Sequence, residues 1–152
     1  MRTKSNPVGR NGRVPKRKTR TQRAESAPQY IFVYGTLKRG AKSHRELGRK
    51  LGVFISEARM RGDLYKLSGE SFPGAVRTAA ANRFVQGDLF ALRDPQKALP
   101  DLDGFEGVEE GLFRRELVDV WARGRRLKAW AYLYARPLTG ANLIPAGIYS
   151  PR

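Results

Sequence analysis

The 152-residue chain contains no cysteine, one histidine and two methionines. Without cysteine there is no disulfide, no thiol nucleophile and no zinc–thiolate site. The lone His44 has no cysteine beside it and no serine arranged with it, so it reads as structural or solvated rather than as part of a nucleophilic pair. No clustered His or Cys suggests a metal. No apolar run approaches the roughly 18 residues of a membrane span. The N-terminus is basic but lacks the hydrophobic stretch of a secretory signal, so a cytoplasmic protein is the expectation. There is no Walker A sequence and no dinucleotide fingerprint. Gly69-Glu70-Ser71-Phe72-Pro73 carries proline where the nucleophile elbow requires glycine. Acids are scarce as well: 14 Asp and Glu stand against 30 Lys and Arg, a net charge of +16.

That charge is unevenly spread. Residues 1–29 hold nine basic side chains against Glu25 alone, a net +8, and residues 30–152 hold 21 basic and 13 acidic side chains, another +8. Residues 1–28 also carry almost no large apolar side chains beyond Val8 and Val14. Such a segment buries too little surface to offset its ordering entropy, so a disordered tail is expected there. It reads as a plain solvated tail, as the product of a start assigned too early, or as an arm that holds phosphates without sequence preference. An Arg-rich, acid-poor transit peptide also fits its composition.

Ordered structure is expected from Gln29 onward. Tyr30-Ile31-Phe32-Val33-Tyr34 is a continuous β-branched and aromatic run, the signature of a buried strand. Ser43 and Glu46 have the spacing of a capping box, which predicts a helix running to about Leu51 and stopping at Gly52. Short strands are expected at Val53–Arg61, Leu64–Leu67, Phe72–Val76 and Phe84–Leu92. Pro95–Phe105 reads as a helix, with Leu99 and Leu102 three apart. Phe113–Val120 and Leu127–Tyr134 alternate and form a hairpin about the turn Arg123-Gly124-Arg125-Arg126. Pro137–Arg152 has few periodic signals. Many short strands with two helices and no regular βαβ alternation argue for an α+β domain with a curled or closed sheet.

Two places could carry chemistry. At Tyr34-Gly35-Thr36-Leu37-Lys38-Arg39-Gly40 a strand runs into a glycine-containing turn, which can aim consecutive backbone N–H groups at an anion. The helix that follows adds partial positive charge at its start. The residues alone are equally those of an ordinary turn. The second place is Asp101 to Glu110, with five carboxylates in ten residues. Asp103 and Glu106, three apart, would share a helix face. Glu106 lies between Phe105 and Gly107, and apolar surroundings would raise its pKa toward that of a useful base. A solvated acidic loop at a helix end is the alternative.

Read together and in order, these segments resemble the γ-glutamylcyclotransferase-like family. Tyr34-Gly35-Thr36-Leu37 with Gly40 is followed about seventy residues on by Leu102-Asp103-Gly104-Phe105-Glu106-Gly107. Between and after them come Gly62-Asp63-Leu64-Tyr65, Phe72-Pro73-Gly74-Ala75, Val85-Gln86-Gly87-Asp88-Leu89-Phe90, the stretch Phe113–Val120 and Ala129-Trp130-Ala131-Tyr132-Leu133-Tyr134. The resemblance covers Tyr30 to about Tyr149. It implies a domain over residues 29–152 built as a small mixed, partly closed β-barrel flanked by helices. It also implies a reaction without metal or cofactor, in which the α-amine of a small γ-glutamyl substrate attacks its own γ-carbonyl and releases 5-oxoproline and a free amine. By the resemblance, the Tyr34, Gly35, Thr36 and Leu37 backbone holds the glutamyl carboxylate or the developing oxyanion, Glu106 is the acid and base, and Arg115 and Tyr132 line or support the site. The chain departs from the family at Gly147-Ile148-Tyr149, where many relatives have an acidic residue after the glycine. Two readings from other classes stand beside this one: an inactive ligand-binding or regulatory domain, and a nonspecific nucleic-acid binder acting through the tail.

Overall fold

The computed structural model describes residues 29–150. The expectations for residues 1–28 lie outside this range. Eight strands and two helices follow in the order β1 (Tyr30–Val33), α1 (Lys42–Leu51), β2 (Val53–Arg61), β3 (Asp63–Lys66), β4 (Pro73–Val76), β5 (Phe84–Ala91), α2 (Pro95–Phe105), β6 (Phe113–Ala122), β7 (Arg125–Tyr134) and β8 (Asn142–Leu143). Five strands close into a barrel in the order β1-β5-β2-β6-β7, and β4-β3-β8 form a separate three-stranded sheet. This is the α+β barrel expected from the sequence. Closure is completed by a parallel contact between β1 and β7 at Ile31 and Trp130. Among the described residues no helix is long and apolar enough to cross a membrane.

The alternation of side chains across a strand explains where the core sits. Phe32 on β1 points into the barrel with Met60, Val85, Leu89, Val118, Val120 and Leu133. Its neighbours Ile31 and Val33 point outward against Leu51, Leu99 and Leu102 under the helices. Both faces of β1 are therefore buried, which is why its sequence is an unbroken apolar run rather than an alternating one.

The expected strands are all present, with ends shifted by a residue or two. Three readings need correction. The first helix starts at Lys42 with Ala41 at the N-cap and no side-chain cap, so Ser43 lies inside the first turn and is not a capping residue. The hairpin turn is two residues, not four: β6 ends at Ala122 and β7 begins at Arg125, with Arg123 and Gly124 both at positive φ, 52° and 74°. Positive φ at both central residues matches the right-handed twist of the flanking strands. The C-terminal stretch does pair, through β8 on Tyr65 and Lys66.

Two polar groups fix the loop after β1. Asp88, on β5 and only 5% exposed, accepts the Arg39 backbone N–H at 2.9 Å and the Arg39 guanidinium at 3.2 and 3.3 Å. Tyr34 is buried, and its hydroxyl donates to the Tyr132 carbonyl at 2.7 Å while accepting the Ala75 N–H at 3.0 Å. One oxygen thus joins the barrel, the loop and the small sheet. Tyr34→Phe keeps the ring but strands a buried N–H and a buried carbonyl. A loss of about 1–3 kcal/mol in unfolding free energy is expected. Urea unfolding of the variant measures it, and an unchanged midpoint would remove the hydroxyl from this role.

Candidate active site

A cavity of about 560 Å³ opens between the loop after β1, the end of α2 and the small sheet. Its floor is the run from Phe32 to Leu37, and Glu106 faces that run from the end of α2. Phe72, Phe105, Leu112, Phe113 and Tyr149 give it largely aromatic and aliphatic walls, and among the described residues Glu106 is its only charged lining side chain.

The loop is a tight one. Lys38 N–H donates to Gly35 O at 3.1 Å and Ala41 N–H to Lys38 O at 3.0 Å. Among the described residues the N–H groups of Gly35, Thr36 and Leu37 have no protein acceptor. Such free amides at the floor of a cavity are suited to an anion. Packing at Gly35 is tight: a Cβ there would lie 3.1 Å from the Pro73 ring, which would have to shift to admit it.

Glu106 is held by the way α2 ends. The helix stops at Phe105 with Glu106 as its C-cap. Gly107 follows at φ 69°, Gly107 N–H donates to Gly104 O at 3.2 Å, and Val108 N–H reaches Asp103 O at 3.0 Å. This pair of bonds around a left-handed glycine is the Schellman arrangement. The sequence -Gly104-Phe105-Glu106-Gly107- thus ends a helix and aims a carboxylate in one step. No described residue forms an ion pair or hydrogen bond with that carboxylate. Desolvation by burial alone pushes its pKa up to about 7.

Asp103, three residues earlier, is in the opposite situation. It accepts Arg115 at 2.7 and 3.2 Å and the Tyr132 hydroxyl at 2.7 Å. Burial acts to raise its pKa, but the hydrogen bonds from Arg115 and Tyr132 and the Arg115 charge together hold it below the ordinary carboxylate value. The Arg115 guanidinium also stacks on Trp130, 4.4 Å from the ring centre. Burial raises the pKa of Tyr34 and of Tyr132, and the Glu106 charge adds to both.

The profile of the gamma-glutamyl cyclotransferase, AIG2-like family matches residues 31–151. The chain belongs to this family. It is 30% identical over 130 residues to a gamma-glutamylcyclotransferase family protein of Escherichia coli (strain K12), covering 80% of this chain and 96% of that one. It is 34% identical over 97 residues to gamma-glutamylaminecyclotransferase of Homo sapiens, covering 59% and 60% of the two chains. The crystal structure of an AIG2-like protein from Mus musculus has the same fold, with a TM-score of 0.63 at 23% identity over 82% of this chain and 97% of that one. Activity of the gamma-glutamyl cyclotransferase kind is therefore supported at the level of the family.

Of the residues singled out in the sequence, Tyr34, Gly35, Thr36, Leu37, Glu106 and Tyr132 all line the cavity. Arg115 does not; it reaches the site through Asp103. Asp103 was legible only as one of five neighbouring acids, and its partners lie 12 and 29 residues away. Tyr149 was missed as a wall residue. It donates its hydroxyl to Ser71 O at 3.0 Å, and Lys38 Nζ holds its carbonyl at 2.8 Å. The glycine before it carried the available signal: Gly147 has φ 70°, and a Cβ there would collide with Phe84 O.

A carboxyl with a higher pKa folded than unfolded costs nothing below about pH 4.5, where it is protonated in both states. The cost grows as pH rises to about 7 and is complete above that. Glu106→Gln should therefore stabilise the fold by about 1–3 kcal/mol near pH 8.5 and by little near pH 4.5. Urea unfolding at the two pH values tests this. An equal effect at both would mean that the carboxylate is solvated when folded.

Proposed function

We propose that the protein is a cofactor-independent γ-glutamyl cyclotransferase that converts a small γ-glutamyl amide into 5-oxoproline and a free amine, with Glu106 as general base and then general acid. The observation that carries this reading is an unpaired, desolvated carboxylate facing a loop of free backbone amides across one cavity. The amides of Gly35, Thr36 and Leu37 hold the α-carboxylate or the oxyanion that forms on the γ-carbonyl. Glu106 receives the α-ammonium of the substrate and takes one proton from it. The freed amine attacks the γ-carbonyl carbon, a C–N bond closes the five-membered ring, and the exocyclic C–N bond breaks. The proton held by Glu106 passes to the departing nitrogen. Glu106 then takes the second proton from the ring nitrogen and returns it to the released amine, so that 5-oxoproline leaves with a neutral lactam and the amine leaves as its ammonium. Nothing is oxidised and no water is consumed.

Magnitudes favour this division of labour. An α-amine titrates near 8 and an ordinary glutamate near 4.3, a poor match for proton transfer. A glutamate lifted to about 7 closes most of that gap. The attacking amine and the carbonyl belong to one molecule, so the enzyme's remaining task is to hold them in the closing geometry. Arg115 and Tyr132 act as positioning residues through Asp103, which fixes the end of α2 one turn before Glu106. The walls formed by Phe72, Phe105, Leu112 and Phe113 favour substrates whose amine portion is uncharged and apolar.

The test measures 5-oxoproline release from γ-glutamyl alkylamines, γ-glutamyl arylalkylamines, γ-glutamyl dipeptides and glutathione. Amides of uncharged amines should give the highest kcat/KM. Glu106→Gln should lower kcat by about 10²-fold or more. Comparable turnover in the variant would remove Glu106 as the base while leaving the reaction standing. No product from any γ-glutamyl compound, with the protein folded, would favour a ligand-binding domain.

The pH profile is a separate check. The base must be ionised, so kcat/KM should fall as pH drops through about 7, set by the raised Glu106 value. An acidic limb near 4.3 would indicate an ordinary, solvated glutamate.

A further inference from the structure

The outer face of the barrel carries a second feature at the far end of the β6–β7 hairpin. Phe113, at the start of β6, lines the cavity. Trp121 is eight residues further along the same strand, roughly 26 Å away at the rise of an extended chain. Around it the registers place Arg59 of β2 opposite Trp121, Arg61 opposite Phe84 of β5, and Arg126 of β7 opposite Trp121. The two rings meet edge to face at 5.9 Å. The Arg59 guanidinium lies 4.2 Å from the centre of the Phe84 ring, and that of Arg61 lies 5.8 Å from the centre of Trp121. Arg123 stands in the hairpin turn and Arg125 opens β7 directly after it. All five arginines are exposed, while Phe84 and Trp121 are half-buried.

These charges are only partly neutralised. None of the five guanidinium groups forms a salt bridge with a carboxylate among the described residues. Nearby carboxylates pair with other cations, Glu57 with Arg39 at 3.8 Å, Asp63 with Arg83 at 2.6 Å and Asp119 with Lys128 at 2.8 Å, although the Arg126 charge also acts on Asp119. Arg123 donates to Ile55 O at 2.7 Å and keeps its charge. The result is a strip of positive charge interleaved with aromatic rings on the outer face of the sheet, centred on the end of β6 away from Phe113.

We propose that this face binds single-stranded nucleic acid, with the arginines on phosphates and Trp121 as a stacking platform for a base, braced from the side by the Arg59-capped Phe84 ring. Guanidinium groups fit phosphate oxygens in a two-pronged geometry. Aromatic rings set among cations are the pattern by which sheets hold single strands without reading sequence. A duplex would hide its bases from the rings and is the poorer fit. The net charge of +16 adds long-range attraction for a polyanion.

The test uses the full-length chain and a fluorescein-labelled oligodeoxythymidylate of about 20 nucleotides, followed by anisotropy between about 50 and 200 mM NaCl. Removing three phosphate contacts in Arg59→Ser/Arg61→Ser/Arg126→Ser should weaken binding at least tenfold and reduce the steepness of log K against log salt by about 2. Trp121→Leu should weaken binding several-fold with the salt slope unchanged. The double variant Arg125→Ser/Arg126→Ser touches only the exposed hairpin end. It should lower the slope by about 1.4, which keeps the test decisive if the triple variant unfolds. Equal affinity and equal slope in wild type and variants would overturn the proposal and assign all binding to the basic residues before Gln29. So would absence of binding, or tight binding to phosphatidylserine vesicles that the oligonucleotide does not displace.

Discussion

Much of this protein hangs on one buried hydroxyl. Tyr34 closes strand β1, and its phenol oxygen has no water to turn to, so it must be satisfied by protein. It gives its hydrogen to the Tyr132 carbonyl on β7 and takes one from the Ala75 amide on β4. The barrel and the small sheet are thereby held at a fixed spacing, and the space left between them is the cavity. The same constraint orients the next three residues. With Tyr34 pinned and Arg39 clamped by Asp88, the chain from Gly35 to Lys38 has little freedom left: the Lys38 N–H closes back on Gly35 O, and the amides of Gly35, Thr36 and Leu37 have no acceptor among the described residues.

Glu106 can be reactive because Asp103 is not. The two carboxylates are three residues apart on one helix end, yet their surroundings push them in opposite directions. Asp103 takes up the available cation and the available phenol, and it stays ionised as a structural brace. Glu106 is left with burial alone, and burial without compensation favours the protonated form. Two carboxyl groups separated in this way in one site are the usual mark of a division between holding and proton transfer. The arrangement also explains why Arg115 lies outside the cavity. A guanidinium beside Glu106 would lower its pKa and remove the property that makes it useful.

The strands were readable because each has one or two buried faces, so burial writes itself into the pattern as alternation or as an unbroken apolar run. Phe84–Ala91 and Phe113–Ala122 are of the first kind and Tyr30–Val33 of the second. The start of the first helix was not readable from Ser43 and Glu46, because spacing alone does not say whether a serine stands outside the first turn or within it. At the site, the loop and Glu106 were legible since each is local: a glycine turn after a strand, and an acid beside a helix-ending glycine. The walls were not. Ser71, Phe72 and Tyr149 come from segments far from the loop in sequence, and the Tyr65–Leu143 pairing that brings the C-terminal segment back is two residues long, too short to leave a period.

The β6–β7 hairpin links these observations. Ten residue pairs in unbroken register make it the longest ladder in the barrel, and its two ends have different chemistry. Near Phe113 and Tyr132 the outward side chains are covered by α2 and the cavity, so the strand charge there is that of Arg115, paired with Asp103. Near Trp121 no element among the described residues covers the sheet, and outward positions can carry arginine at little desolvation cost because the guanidinium remains in water while its stem and plane rest on the rings. Such a rigid ladder keeps the two ends at a fixed separation, and a charge change at the turn would act on the cavity only through screened Coulomb forces over more than a Debye length. The exposed end is therefore free to vary in sequence without disturbing the chemistry at the covered end.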